Sequence, residues 1–387
     1  MGLKPPSEPA AAGTAAQPAA QPGAQTAAES AADAELFVAM GGWPAVLGRL
    51  MAGQSLSAAE AAAALGEVLS GSASDAQLSA FVTALRMKGE TVEEMSGLVR
   101  AMLAHAEPLE VPGDLVDTCG TGGDRSRSIN VSTIAALVVA GAGARVCKHG
   151  GRAASSAAGS ADVLEALGVA IDLGPAGVRR CIEEVGIGFC FAPRFHPAMR
   201  NAIGVRRELA VPTVFNFLGP LANPARARYQ VVGVSDQSMA EKMLGVLMAN
   251  GSRRAMVVHG ADGLDELSTT GPSSVLEAEV ADDGSAEPRV RRGTVDPAEL
   301  GLAPASVEDL RGAQPDHNAE IVRRVVDGQP GAHRDVVLLN AAAALVVCGR
   351  APAFPEALAL AGEVVDDGRA AAALDGLVRV SQEAAAG

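Results

Sequence analysis

The chain has 387 residues, a formal net charge of −14 and an aromatic content of only 3%. This acidity argues against a general nucleic-acid-binding surface, which needs clustered lysine and arginine side chains. No apolar run approaches the roughly 20 uncharged residues that cross a bilayer, and five cysteines without a CxxC pair indicate neither a disulfide framework nor a zinc site.

The first 34 residues are rich in alanine, proline, glutamine and glycine and contain almost no large apolar side chain. Such a segment buries too little surface to offset its ordering entropy, so residues 1–34 are predicted to form a disordered tail. It lacks the basic and apolar regions of a secretory signal. Together with the unpaired cysteines, this predicts a cytoplasmic protein.

Residues 35–110 are predicted to form a small helical domain. Apolar side chains recur at helical spacing between residues 78 and 102. These stripes could form a partner surface, and a core face is the preferred interpretation. Three capping boxes mark helix starts, namely Ser57 with Glu60, Ser74 with Gln77, and Thr91 with Glu94.

Residues 111–387 are predicted to form a larger α/β domain. Short apolar runs at 115–118, 144–147, 188–191, 230–234 and 255–259 alternate with helical patterns. Strands separated by helices favour a largely parallel central sheet with ligands at the carboxyl ends of its strands. Residues 282–296 are predicted to form a surface hairpin or loop. Residues 334–349 could form either a buried strand or a helix, and a helical tail follows.

Three anion-binding elements follow one another at successive predicted strand ends. Glycines at 120, 122 and 123 can adopt positive φ angles and direct backbone N–H groups at phosphate oxygens. A helix beginning near Asn130 adds unpaired donors at its N-terminus, and the next strand leads to Lys148, His149 and Arg152. Neither GxxxxGK[ST] nor GxGxxG is present. The arrangement predicts a ligand with several phosphates.

With these motifs in place, the chain resembles the anthranilate phosphoribosyltransferases of tryptophan biosynthesis. The resemblance covers nearly everything after residue 35 through GTGGD, NVST, KHG-RAASS, SADVLEALG, FAPRFHP, VRREL, TVFNFLGPLANP, GLDELSTT and RDVVLLNAAAAL. It implies transfer of the phosphoribosyl group of 5-phosphoribosyl 1-pyrophosphate to anthranilate, with Mg²⁺ as cofactor. It also implies a homodimer through the helical domain, to which the chain returns between residues 195 and 221.

The resemblance assigns most of the motif residues to the phosphoribosyl donor. An ordinary helix cap is the alternative for the NVST motif, and the two roles can coexist. Lys148 suits phosphate as a point charge. The donor-binding residues so implied are Gly120, Thr121, Gly122, Gly123, Asp124, Ser128, Asn130, Val131, Ser132, Thr133, Lys148, His149, Gly150, Gly151, Arg152, Ala153, Ala154, Ser155, Ser156 and Ser160.

Asp265 and Glu266 form an adjacent acidic pair in a loop that follows a predicted strand. Two hard oxygen ligands suit Mg²⁺, which usually takes one or two carboxylates and keeps water and substrate phosphate as its other ligands. From spacing alone, a solvated acidic turn is equally compatible. The resemblance favours the metal role, and it adds the hydroxyl of Ser132 as a further ligand.

For the acceptor, the resemblance implies Gly120, His149, Gly151 and Arg206, with the Arg206 guanidinium matching the carboxylate of anthranilate. The adjacent arginine at 207 is a competing candidate, and a helix-surface salt bridge is the alternative role. A histidine at 196 could line the acceptor channel or the core. No obligatory acid or base stands out, because an aniline nitrogen is neutral at pH 7 and can attack before it loses its proton.

One departure from the family concerns KHGGR, which the family reads as KHGNR. Gly151 cannot make the hydrogen bond of that asparagine, so another aminobenzoate or an azole is a possible alternative acceptor. A pyrimidine nucleoside phosphorylase is disfavoured, since no HRGGTLDKLE-like stretch occurs. A non-catalytic nucleic-acid binder is disfavoured by the acidic charge and by the retained Asp265 and Glu266.

Overall fold

A computed structural model describes residues 22–124, 126–153, 157–281 and 287–387. The chain folds into an N-terminal helical unit and a larger α/β unit, so the predicted fold class is confirmed. None of the described helices is long and apolar enough to cross a membrane.

The helical unit begins with five helices, whose starts follow the predicted capping chemistry. All three capping boxes are formed, each with both reciprocal hydrogen bonds. Their apolar stripes face a buried core that includes Phe81, Leu85 and Met95. The helices are α1 (Pro22–Ala39), α2 (Gly42–Met51), α3 (Ala58–Leu69), α4 (Asp75–Lys88) and α5 (Val92–Ala104).

The first helix corrects one prediction. The predicted disordered tail extends to residue 34, whereas α1 begins at Pro22. Alanine has the highest helix propensity, and the last turns of α1 are anchored by Phe37, whose ring packs edge-on against Trp43 with 5.3 Å between centroids. Residues 1–21 of the predicted tail lie outside the described residues.

A seven-stranded sheet forms the centre of the α/β unit, with strand order β3-β2-β1-β4-β5-β6-β7. The first five strands are parallel and lie at the predicted positions, while the last two are antiparallel to their neighbours. The strands are β1 (Val116–Gly120), β2 (Val146–Gly150), β3 (Ile187–Phe191), β4 (Tyr229–Gly233), β5 (Arg254–Gly260), β6 (Ser273–Glu279) and β7 (Arg289–Val295).

Both faces of the sheet are covered, as the continuous apolar runs predict. Alternate residues of β4 point to opposite sides, so Val231 joins the core beneath α6 and α14 while Val232 joins the core of the helical unit. The covering helices are α6 (Val131–Gly141), α7 (Ser160–Ala166), α8 (Pro175–Val185), α12 (Ala240–Ala249), α13 (Pro315–Val326), α14 (Ala332–Val347), α15 (Phe354–Asp366) and α16 (Arg369–Ala386).

Between β3 and β4 the chain packs against the helical unit. It forms α9 (Ala192–Phe195), α10 (Arg200–Leu209) and α11 (Phe215–Leu218), with short 3-10 turns at Pro197–Met199 and Gly219–Leu221. Helix α10 packs on α3 and α4, and α11 packs on α5. The segment therefore connects the helical unit to the strand ends of the sheet.

Two segments of undecided type are now defined. Strand β7 forms an antiparallel hairpin with β6, and residues 282–286 of the predicted hairpin or loop lie outside the described residues. The segment 334–349 is helical, as α14, because its 16 residues contain an alanine-rich run that is buried on all sides.

Candidate active site

Four neighbouring parallel strands end in glycine at the same edge of the sheet, namely β1, β2, β4 and β5. At the ends of β1 and β4 the glycine is required for the close approach of Asp265. A Cβ on Gly120 would overlap the Oδ2 atom of Asp265, and one on Gly233 would overlap the Asp265 carbonyl oxygen. The acidic loop after β5 can therefore cross the ends of β1 and β4 at backbone contact distance.

The loop after β1 is turned by two glycines with positive φ, +68° at Gly122 and +82° at Gly123. The Gly122 N–H donates to Asp265 Oδ2 over 2.6 Å, and the Thr121 N–H donates to the Gly233 carbonyl over 2.9 Å. Successive N–H groups in such a turn form a concave anion-binding surface. The loop is thus tied to the acidic pair while its glycines remain exposed.

The N-terminal turn of α6 lies beside the same pair. The Ser132 N–H donates to Glu266 Oε1 over 3.2 Å, and the hydroxyl of Thr133 is buried without a hydrogen-bond partner. A buried, unsatisfied hydroxyl at a helix N-terminus is free to bind an incoming phosphate oxygen. Val131 is buried in the core beneath this turn.

The side chain of Asn130 joins three parts of the structure. Its side-chain amide donates to the Ala158 carbonyl over 3.0 Å, and its oxygen accepts from Asn318 over 3.0 Å. It does not cap α6 through its side chain. Asn130 therefore joins α6 to the loop before α7 and to α13. The Ser126 hydroxyl donates to Asp124 over 2.7 Å, and the Ser128 hydroxyl lies 3.1 Å from it.

Lys148, near the end of β2, is 2% exposed. Its ammonium donates to the Thr118 carbonyl over 2.6 Å and lies 3.4 Å from the Ser132 hydroxyl. Its charge lowers the pKa of Glu266 and of the fully buried Asp117 against the larger effect of burial. Lys148 is therefore a buried cation whose charge acts on the acidic pair, with its ammonium between β1 and α6.

Asp265 and Glu266 are 8% and 9% exposed, so the solvated-turn alternative does not apply. Burial raises the pKa of Asp265 to about 7, with the charge of Asp124 adding to the effect. Burial and then the charge of Asp265 raise the pKa of Glu266 to about 8. A bound cation would stabilise the ionised form of both carboxylates, because it offsets the cost of burial and their mutual repulsion.

The donor set fits Mg²⁺, which needs hard oxygen ligands and only one or two carboxylates. The described residues contain no group of three or more His, Cys, Asp or Glu side chains able to hold a metal. The residues that could hold a magnesium ion here are Asp265, Glu266 and Ser132, whose N–H donates to Glu266, with substrate and water as the remaining ligands.

The acceptor candidates lie at the end of β2 and on the chain between β3 and β4. His149 is buried, its Nε2 has no partner, and its ring centroid is 5.2 Å from that of His196. Burial, followed by the charge of His196, holds the pKa of His149 well below its usual range. His149 is therefore neutral. His196 Nε2 donates to the Ala222 carbonyl over 2.9 Å, as a satisfied core histidine does.

Arg206 lies on α10 with its guanidinium over the ring of Phe215 at 5.5 Å. Burial lowers the pKa of this guanidinium, which still remains a cation. In the part of the chain that is described, no carboxylate pairs with it, so the helix-surface salt bridge does not form. Arg207 is exposed. The half-buried Arg206 is thus an unpaired cation next to an aromatic ring.

Arg152 is paired with two acidic residues of α7. Its guanidinium donates to Asp162 and Glu165 on α7, each over 2.8 Å, and lies 5.7 Å from the ring of Phe191. As a phosphate ligand it would have to exchange these partners. Ala153 donates its N–H to Asp162 as well.

The backbone around Gly150 and Gly151 is set by α7. The Ser160 hydroxyl donates to the Gly151 carbonyl over 3.4 Å, and a Cβ on Gly150 would overlap that hydroxyl. Ala154, Ser155 and Ser156, which the resemblance assigns to the donor, lie outside the described residues.

Several residues that organise the site were not predicted. Asp117 accepts from the His149 N–H over 3.2 Å and from the Asn223 side chain over 2.7 Å. The Ser235 hydroxyl donates to the Gly122 carbonyl, and the Asn340 side chain accepts from the Leu267 N–H of the acidic loop. Each is a polar residue within or directly after an apolar run. That pattern could have identified them, although not their partners.

Comparison with known proteins agrees with this geometry. A sequence model of the glycosyl transferase family a/b domain matches residues 112–371, and one of the same family's helical bundle domain matches residues 44–106. An anthranilate phosphoribosyltransferase of Nocardioides sp. is 53% identical over 87% of this chain and 98% of its own length. One of Salinispora arenicola is 51% identical, covering 88% and 96%.

Solved structures give the same result. The anthranilate phosphoribosyltransferase of Thermus thermophilus superposes with a TM-score of 0.81 at 41% identity, covering 87% of this chain and 99% of that one. The enzyme of Saccharomyces cerevisiae in complex with phosphoribosyl pyrophosphate and Mg superposes with a TM-score of 0.80 at 26% identity, covering 88% and 98%. This chain therefore belongs to the anthranilate phosphoribosyltransferase family.

Proposed function

We propose that this protein transfers the phosphoribosyl group of 5-phosphoribosyl 1-pyrophosphate to the amino group of anthranilate, giving N-(5-phosphoribosyl)anthranilate and pyrophosphate. The observation that carries the proposal is the buried Asp265–Glu266 pair, bonded to both the glycine loop and the N-terminus of α6. Anion-binding backbone and metal-binding carboxylates meet at one point, as a magnesium pyrophosphate requires.

The reaction needs little acid–base chemistry from the protein. The acceptor nitrogen attacks C1 of the ribose, the bond from C1 to the pyrophosphate oxygen breaks, and the nitrogen then loses its proton. Backbone N–H groups of the loop at Gly122 and Gly123 would bind the negative charge that develops on the departing pyrophosphate, with Lys148 beside them. Mg²⁺, held by Asp265, Glu266 and Ser132, would neutralise part of that charge.

The acceptor would be oriented by one charged and one neutral group. Arg206 suits the anthranilate carboxylate because a guanidinium can form two parallel hydrogen bonds to it. Neutral His149 offers an uncharged ring surface for the aromatic acceptor. Held in this way, the aniline nitrogen faces the ribose without the entropic cost of a free encounter.

A different aromatic acceptor, suggested by Gly151, is not favoured. Relatives 50–53% identical over most of their length are named anthranilate phosphoribosyltransferase, and a yeast enzyme of that name was solved with 4-fluoroanthranilate. Water or a neighbouring group can supply the contact that a glycine lacks.

We also propose that the protein is a cytoplasmic homodimer that joins through the helical unit. Its five cysteines are free thiols, as in a reducing compartment. Large apolar side chains are strongly exposed on three helices of this unit, at Val38, Met51 and Met87, and exposed apolar patches mark interaction sites. Light scattering of the purified protein distinguishes a dimer from a monomer.

The activity is tested by following anthranilate fluorescence with the purified protein, phosphoribosyl pyrophosphate and Mg²⁺. We expect fluorescence loss with one pyrophosphate released per anthranilate consumed. The same assay with 3- and 4-aminobenzoate serves as the control for acceptor choice. Turnover of either isomer at the anthranilate rate, or none with any acceptor, would contradict the proposal.

A further inference from the structure

A single polar residue interrupts a run of twelve buried residues in α14. From Val336 to Val347 every residue of α14 is buried, and Asn340 is the only one with a polar side chain. It is 3% exposed. An unsatisfied amide at such a position would be strongly destabilising, so its hydrogen-bond partners indicate what it does.

Asn340 bonds both backbone polar groups of one residue of the acidic loop, Leu267. Its Oδ1 accepts from the Leu267 N–H over 2.9 Å, and its Nδ2 donates to the Leu267 carbonyl over 2.8 Å. The second Nδ2 hydrogen is donated to the Val336 carbonyl over 2.9 Å, within α14 itself. The amide plane is therefore fixed by three hydrogen bonds, two of which go to the residue directly after Glu266.

Three consecutive loop residues are thus held by three different elements. Asp265 is bonded by Gly122 of the glycine loop, Glu266 by Ser132 of α6, and Leu267 by Asn340 of α14. The first two bonds involve the carboxylates themselves, and these groups would have to share their oxygens with a metal. The side chain of Asn340 bonds only backbone atoms of the loop, so these bonds leave the carboxylate oxygens free for a metal.

We propose that Asn340 is a positioning residue for the metal-binding carboxylates, setting the direction of Asp265 and Glu266 through the Leu267 backbone. The inference rests on the proposed function, in which that pair holds Mg²⁺. Ligand groups must be held within about 0.5 Å of their working geometry by residues that are themselves locked. The Asn340 side chain is held in place because it lies on a buried helix and both of its amide hydrogens are donated in hydrogen bonds.

The test compares Asn340→Ala with Val347→Ala, which also removes buried atoms from α14 but about 10 Å further along the helix. Binding of Mn²⁺ in the presence of phosphoribosyl pyrophosphate is measured by the electron paramagnetic resonance of free Mn²⁺. We expect Asn340→Ala to bind Mn²⁺ about 10- to 100-fold more weakly than the wild type, and Val347→Ala to bind it normally. Equal affinity in both variants would overturn the inference.

Asn340→Asp provides a second test that does not depend on the stability of the alanine variant. A protonated carboxyl can still accept from the Leu267 N–H and donate to its carbonyl, whereas an ionised one cannot donate. In either form the carboxyl loses at least one of the three hydrogen bonds that fix the amide plane, so we expect this variant to bind Mn²⁺ more weakly than the wild type. Wild-type affinity in this variant would contradict the role of the amide.

Failure of the proposed function gives a different result. If the double variant Asp265→Ala, Glu266→Ala binds Mn²⁺ as tightly as the wild type, the metal is not held by this pair, and the proposed site and the inference both fall. If the double variant loses Mn²⁺ binding while Asn340→Ala retains it, the site stands and only the role of Asn340 is wrong.

Discussion

The two ends of the candidate active site are built in different ways. At the donor end, polar groups are buried and joined across long sequence separations, as between Gly122 and Asp265 or Ser132 and Glu266. At the acceptor end, the guanidinium of Arg206 lies over one aromatic ring, and a Cβ on Gly151 would meet only the Ala192 Cβ, at 3.9 Å. A network that is fixed before substrate arrives suits charge stabilisation, while a few separate contacts suit selection of the acceptor. Substitutions at the donor end should therefore lower turnover more than substitutions at the acceptor end.

The largest effect is expected from removing the acidic pair. Asp265→Ala combined with Glu266→Ala should lower turnover about 10³-fold or more, because the leaving pyrophosphate loses its metal. Initial rates over a range of Mg²⁺ concentrations measure this. Glu183→Ala with Glu184→Ala is the matched control, since these adjacent glutamates lie exposed on α8. Wild-type turnover in the Asp265→Ala, Glu266→Ala variant would show that this pair does not hold the metal.

Gly120→Ala should have the next largest effect, about 10²-fold or more on turnover, since its Cβ would displace the Asp265 carboxylate. Gly122→Ala is a useful comparison because it has open space around its Cβ and suffers only from positive φ. That strain costs about 1–2 kcal/mol. Rates and melting temperatures of both variants separate the two causes. Equal loss of turnover in both would show that close approach to Asp265 does not matter.

Arg206→Ala should raise the KM for anthranilate about 10- to 100-fold, the amount expected for lost hydrogen bonds to a charged group. The KM for phosphoribosyl pyrophosphate should not change, since Arg206 belongs to the acceptor end. Arg207→Ala is the control, one residue away and exposed. A larger rise in the KM for anthranilate in Arg207→Ala than in Arg206→Ala would show that Arg207, and not Arg206, binds the acceptor carboxylate.

The pH dependence of metal binding comes next. The pKa values of about 7 and about 8 for Asp265 and Glu266 mean that protons must leave before a metal can bind. Affinity for Mg²⁺ should rise up to about tenfold per pH unit for each proton displaced between about pH 6 and 8. Calorimetric titrations at several pH values measure it, and a flat profile would show that the pair is already ionised.

The same pKa values predict how stability changes with pH without metal. Because the folded-state pKa values lie above the ordinary 3.8 and 4.5, the folded protein holds more protons than the unfolded chain. This contribution is fully present below about pH 4 and is lost as pH rises through about 7 and 8. Melting curves in EDTA should show that loss, and added Mg²⁺ should reverse it.

The smallest effect is expected from Gly151→Asn. The nearest atom to a Cβ at this position is the Ala192 Cβ at 3.9 Å, and its φ is not positive. The variant should fold normally and change the KM for anthranilate by only a few-fold, about 1 kcal/mol for one hydrogen bond. Turnover of anthranilate by the variant but not by the wild type would show that the natural acceptor is different.

Much of the donor end could be predicted from the sequence because its chemistry is local. The strand-ending glycines and the adjacent Asp265 and Glu266 are each visible within a few residues, as are the capping boxes of the helical unit. What could not be predicted depends on distant partners. The ion pairs of Arg152 with α7, the bonds of Asn130 to α13 and the grip of Asn340 on Leu267 all join segments that only the fold brings together.

Two alanine-rich segments show where the sequence pattern is uninformative. The predicted disordered tail is wrong from Pro22 onward, where α1 begins, and the pattern of residues 334–349 does not distinguish a strand from the helix that forms. Both segments are rich in alanine, which gives little periodic contrast between core and surface. Hydrophobic patterning carries little information there, and helix propensity together with tertiary packing determines the structure.

The separation of the two ends can be tested most directly by calorimetric titration of Mg²⁺-phosphoribosyl pyrophosphate into the wild type and into Arg206→Ala. The account predicts the same dissociation constant for both proteins, and strongly weakened binding in the Asp265→Ala, Glu266→Ala double variant. If Arg206→Ala weakened donor binding as much as the double variant does, donor and acceptor would share one set of contacts, and the central claim would be wrong.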